Sequence, residues 1–241
     1  MAPKVKRKTK FPPVAASAEI ESRNPSETAG EKAYRKIRSD ILFGRLPPQH
    51  KLRLDQLKIA YATSVSTLRE ILNRLSSEQL VLAEGQRGFE VAPVSIGNLR
   101  EIAELRELLE CHALEQSFAS ADVEWEGRVV AAHHKLAQME ARMKRGDYAG
   151  TEQWKMYDWQ FHQALISACG SATLMETHAA ACDKYLRYQM IALSYRGDIA
   201  EREHRQLLEC ALNRDAKTAC EVLVKHIAGG VEHALATKTI R

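Results

Sequence analysis

Asp158 and His162 stand four residues apart, so on a helix both side chains leave the same face. His204 and His226 follow in stretches rich in helix formers. Three imidazoles and one carboxylate form a donor set suited to a borderline divalent ion such as zinc, nickel or manganese. The same Asp–His spacing also serves an ordinary surface hydrogen bond, and scattered histidines are commonly structural. Spacing alone therefore leaves both readings open. The other histidines carry less: His133 and His134 are adjacent and face different directions, while His112, His178 and His233 lack a matching carboxylate.

A second group of residues suits nucleic acid. From Leu68, the apolar positions Leu72 and Leu75 make one stripe, with Ile71 at its edge. At 100° per residue, Ser66, Arg69, Glu70 and Asn73 fall on the opposite face. Thr67 and Glu70 have the spacing of a capping box, although Ser66 could cap instead, so the helix starts near Ser66 or Thr67. Small polar residues and an arginine at an exposed helix start can enter a major groove, where Arg reaches guanine edges and Ser or Thr meet phosphate oxygens.

The elements that must position these residues are also legible. Residues 1–29 read as a disordered basic tail with Lys4, Lys6, Arg7, Lys8 and Lys10, then a Pro/Ala/Ser/Glu stretch without hydrophobic period. Ala33, Ile37 and Ile41 predict an amphipathic helix over 31–43, ended by Gly44 and Pro47-Pro48. A short helix at 54–61, the polar turn 62–64 and the helix described above complete a helix-turn-helix. Two apolar runs around Glu84-Gly85-Gln86-Arg87-Gly88 predict a β-hairpin with Arg87 at its tip. Beyond residue 97, six helices are expected at 97–119, 124–144, 149–168, 172–195, 199–213 and 215–236, with no strand alternation and no Gly-rich phosphate loop.

Charge follows the same division. Residues 1–98 hold 17 Lys and Arg against 10 Asp and Glu, whereas residues 99–241 hold 18 against 21. A basic head on a mildly acidic body suits a nucleic-acid-binding part joined to one that does not bind. The five cysteines have no C-x-x-C spacing and read as small buried hydrophobes in a reducing cytosol. No apolar run approaches a membrane span. The expected location is the cytoplasm, with no membrane partner.

Residues 33–96, from AYRKIRSDILFGRLPP through LREILNRLSSEQLV to QRGFEVAPVS, resemble the DNA-binding domain of the GntR family. The resemblance implies that Arg69 is the recognition-helix arginine, that Arg87-Gly88 is the wing tip, and that Arg38, Ser64, Ser66, Thr67 and Asn73 join the DNA contacts. The family usually has Arg where Val65 stands, often Pro at Thr67, and usually Gly at Gln49 and Gln79. LRELLE at 105–110, DWQFH at 158–162, EHRQLLECAL at 203–212 and DAKTACEVLVKHI at 215–227 resemble the FCD ligand-binding domain. In its metal-binding members the ligands match Asp158, His162, His204 and His226, a complete set here. An arginine on the first helix of that domain often meets the effector carboxylate, and Arg106 holds that place. A salt bridge from Arg106 to Glu110 or Glu107 is the alternative.

The expected fold is mainly α: a winged helix-turn-helix of three helices and a hairpin over 30–96, then an all-α bundle of six to seven helices over 97–238. The expected function is a homodimeric repressor, not an enzyme, that binds palindromic double-stranded operator DNA and is gated by a small carboxylate effector at a divalent metal. Two alternatives stand beside it: a regulator of the same family without metal, and a metal-dependent enzyme with a His/carboxylate site. Against the enzyme, three histidines and an aspartate leave few open positions, and no general base with a supporting partner is evident.

Overall fold

The computed structural model describes residues 28–83, 85, 88–192 and 195–240. The expected basic tail, apart from its last two residues, lies outside them, as does Arg87.

The first helix, α1 (Ala29–Leu42), begins slightly before the expected start because Thr28 and Glu31 close a capping box. The Glu31 amide donates to Thr28 Oγ1 at 3.2 Å, and the Thr28 amide donates to Glu31 Oε2 at 2.9 Å. Its buried face is Ala33, Ile37, Ile41 and Leu42. The turn after it uses Gly44 at φ +74°. The two-residue strand β1 (Lys51–Leu52) leads into α2 (Leu54–Ala60) and α3 (Val65–Ser77). The cap of α3 is Ser64, not Thr67 or Ser66: Ser64 Oγ accepts from the Thr67 amide at 3.1 Å. The polar link that reads as a turn thus also starts the helix. Leu68, Ile71, Leu72 and Leu75 face inward, as their spacing predicts.

The hairpin of β2 (Val81–Ala83) and β3 (Phe89–Val91) forms, and β1 pairs antiparallel on the far edge of β3, giving the order β1-β3-β2. Lys51 faces Glu90 and Leu82 faces the same residue from the other side. Two residues are too few for an alternation signal, so β1 is invisible in the sequence. Gln49 and Gln79 both have positive φ, 63° and 61°. Gln79 occupies the left-handed position that ends α3, with the Leu80 amide bonded back to the Leu75 carbonyl at 3.0 Å.

The body consists of α4 (Ile96–Ser120), α5 (Val123–Lys144), α6 (Thr151–Ile166), α7 (Ala172–Ala192), α8 (Asp198–Leu212) and α9 (Ala216–Ala236), with one 3₁₀ turn before α6. Helices α4 and α9 pack closely, as do α5 and α6. Head and body have separate apolar cores, the first around Ile37, Leu68 and Leu72, the second around Leu114, Trp125, Leu136 and Phe161. Helix α7 braces them together. Asp183 pairs with Arg38, Lys184 Nζ donates to Gln79 Oε1 at 2.5 Å, and the Arg187 guanidinium donates to the Ala92 carbonyl. Tyr188 donates to Asn98 Oδ1 at 2.8 Å, at the start of α4. Among the described residues no helix is long and apolar enough to cross a membrane.

Candidate metal centre and nucleic-acid interface

Asp158 and His162 leave one face of α6, His204 comes from α8 and His226 from α9, and one potential ligand atom from each lies within 4.8 Å of the others. All four are buried. Each imidazole is held from behind by a carboxylate: His162 Nδ1 lies 3.1 Å from Glu110, His204 Nδ1 2.6 Å from Glu140 and His226 Nδ1 2.8 Å from Glu203. A carboxylate on Nδ1 keeps the proton there and presents Nε2 as a lone-pair donor, the outer-shell arrangement of histidine metal sites. His162 Nε2 and His204 Nε2 are buried and without a hydrogen-bond partner. Asp158 Oδ1 is 3.2 Å from His204 Nε2, an ion pair whenever that ring is protonated. Buried orphan nitrogens are costly in a protein interior, and a cation would satisfy them. The residues therefore fit a divalent ion.

Electrostatics point the same way. Burial opposes the charge of Asp158, yet Lys155, His204 and His162 hold its carboxyl well below the usual range. Burial also opposes a charged His204, but Asp158 and Glu140 raise it to about 9, while burial pushes His226 down to about 3. The carboxylates thus call for positive charge between them, which a proton on His204 or a metal ion supplies.

Beside the cluster is a small cleft of about 20 Å³ whose lining includes Lys155, Gln189, Arg196 and Gly230. Lys155 is buried, 4.0 Å over the Trp154 ring and 3.5 Å from Asp158 Oδ2. Arg196 Nη2 donates to Glu203 at 2.6 Å and to the His226 carbonyl at 3.1 Å. Sequence reasoning missed both cations. Lys155 had one signal, its place three residues before Asp158 on the same helix. Arg196 sits in a loop, where no periodicity points anywhere.

Arg106 makes the salt bridge to Glu110 that the sequence leaves open as its alternative. It does not line this cleft. Its guanidinium is buried, stacked 4.5 Å over Tyr185 and bonded to Glu110 through Nε at 2.7 Å and Nη2 at 2.6 Å. It fixes the carboxylate that holds His162. Glu110, His178 and Cys182 also have ligand atoms within 4.8 Å of one another. There, however, His178 bonds Glu110 at 2.9 Å and Gln163 at 2.6 Å, and Arg106 already supplies the cation, so the group orients side chains.

The head presents a different surface. Ser64, Ser66, Arg69 and Asn73 are exposed and Thr67 is half-buried, all on the outer side of α3. Arg69 and Asn73 line a concavity of about 940 Å³ between α3 and the sheet, together with Lys51, Arg53, Gly85 and Gly88. Lys51, the first residue of β1, and Arg53, just after that strand, are added cations on this face. The Arg38 guanidinium meets Glu78, at 2.8 Å from Nε, and Asp183, and so clasps the head to the body. Val65 stands exposed at the first position of α3.

The model of the bacterial regulatory proteins of the gntR family matches residues 29–91, and that of the FCD domain matches residues 101–229. The HTH-type transcriptional regulator BphR of Paraburkholderia xenovorans is 36% identical over 203 residues, covering 83% of each chain. The HTH-type transcriptional repressor GlaR of Escherichia coli is 31% identical, covering 80% of this chain and 90% of its own. Among solved structures, E. coli McbR/YncC superposes with a TM-score of 0.73 at 17% identity, over 88% of this chain and 99% of that one. A GntR regulator from Rhodococcus sp. RHA1 gives 0.71 at 19% identity, over 86% and 97%. The winged head, the helical body and these relatives agree: the chain belongs to the GntR family, as a DNA-binding transcriptional regulator with an FCD domain and not an enzyme.

Proposed function

We propose that this regulator is a homodimeric, effector-gated repressor whose FCD domain holds a divalent metal through Asp158, His162, His204 and His226. The observation that carries the reading is the set of three histidines, each backed by a glutamate, two of them with orphaned Nε2 atoms. The metal would supply a Lewis-acidic point able to take a carboxylate oxygen from a small organic acid. Lys155 and Arg196, on the wall of the adjoining cleft, have the charge to hold the rest of that anion. In the head, Ser64, Ser66, Thr67, Arg69, Asn73 and the wing at Arg87-Gly88 would meet operator DNA, with Lys51 and Arg53 on phosphates. Two heads on one dimer fit a palindrome with half-sites about one helical turn apart, or a multiple of it.

Elemental analysis after metal-supplemented purification tests the reading. Wild-type protein should carry about one divalent ion per chain, and His204→Ala should lose it. A screen of small organic acids should raise the melting midpoint of metal-loaded wild type and leave His204→Ala unmoved, because only the native site binds them. Wild-type protein with no stoichiometric divalent metal would refute the proposal and leave an FCD regulator that works without one.

A further inference from the structure

Five free thiols are described, and two of them face each other across the tight junction of α4 and α9. Cys220 Sγ lies 3.6 Å from the Cys111 carbonyl oxygen, and Cys111 Sγ lies 4.0 Å from the Cys220 carbonyl oxygen. Such reciprocal reach puts both side chains in the gap between the two packed helices. Both residues are half-buried, whereas Cys182 and Cys210 are buried. Neither thiol of the pair is sealed in the core.

We propose that Cys111 and Cys220 form a peroxide-reactive dithiol that closes to an intramolecular disulfide. The polarity of the pair is set by their mutual hydrogen bond, which raises the Cys111 thiol and lowers that of Cys220. Cys220 is accordingly the attacking thiolate. Its sulfur attacks one oxygen of hydrogen peroxide, the O–O bond breaks, and the departing hydroxide takes up a proton as water. The resulting Cys220 sulfenic acid is then attacked by the sulfur of Cys111, the S–O bond breaks, and hydroxide leaves with the Cys111 proton as a second water. Two thiols are oxidised to one disulfide, and one peroxide is reduced to two waters. In a reducing compartment the bond would be transient, as redox-sensing disulfides are.

The location gives the bond leverage. Cys111 follows Glu110, which holds His162, and Cys220 lies on α9 ahead of His226. The cross-link would pin together two walls of the candidate metal centre.

The test uses the full-length protein with stoichiometric hydrogen peroxide. Thiols titrated after denaturation should fall from five to three, the monomer should lose two hydrogens in mass, and proteolysis should yield the peptide pair containing Cys111 and Cys220. Dithiothreitol should reverse all three changes. In Cys111→Ser, Cys220 should stop at the sulfenic acid and be captured by dimedone. Five thiols remaining, a bond between chains on a non-reducing gel, or a different cysteine pair in the peptides would each overturn the proposal. Mapping the wild-type bond needs no variant, so the result does not depend on how the serine substitutions fold.

Discussion

Arg69 projects from the second turn of α3, exposed and one helical turn before Asn73 on the wall of the concavity. Among the described residues no ion pair or hydrogen bond holds its side chain, unlike Arg38, whose charge is met by Glu78 and Asp183. Arg69→Ala should therefore weaken operator binding by about 1–3 kcal/mol if the contact is to a base edge. Anisotropy titration at fixed salt measures this, and unchanged affinity in a folded dimer would place recognition elsewhere. Glu140 would act one residue removed from the ion: its carboxylate bonds the back of His204. Glu140→Gln keeps a hydrogen-bond acceptor but removes the charge, and metal affinity should fall on the order of 10–100-fold. Competition with a chelator reads that loss, while the melting midpoint of the metal-free form checks folding.

Helices and turns show where the sequence speaks clearly. The stripe of Ala33, Ile37 and Ile41, and that of Leu68, Leu72 and Leu75, become the head core because burial at this period is what makes a helix amphipathic. All six body helices fall where helix formers run unbroken between breaks. The four candidate ligands were legible as a set only through the family likeness, since spacing alone left a surface Asp–His bond open. The rest required three dimensions. Arg106 lies on the expected helix but is held by Glu110, and which way α4 turns depends on packing against α9 and α7. Positions where the family usually has Gly carry a readable cost. Gln49 is exposed at φ 63°, a conformation that disfavours a residue with a Cβ. Gln49→Gly should raise stability by about 1 kcal/mol, less what glycine adds to the freedom of the unfolded chain. A higher denaturant midpoint with unchanged slope is the expected result.

At the scale of the whole molecule, α7 belongs to both domains. Its Cys182 and His178 lie against Glu110, which holds His162, and the very next residues, Asp183 and Lys184, grip Arg38 and Gln79 at the end of α3. A rearrangement around the histidines that shifts this helix would be felt by the head without any contact between ligand and DNA. The cleft beside the histidines adds a matter of timing. At about 20 Å³ it has room for roughly one water, far less than an organic acid. For an acid to bind there, Lys155 or Arg196 would have to swing aside, so that opening, and not collision, would limit the rate of uptake. In stopped-flow mixing of metal-loaded protein with a binding acid, the observed rate should climb with concentration and then level off at the opening rate. Arg196 already bonds Glu203 and the His226 carbonyl, so the release of these bonds would set that plateau. A site gated in this way would have a ceiling on its rate of uptake that no excess of effector could lift.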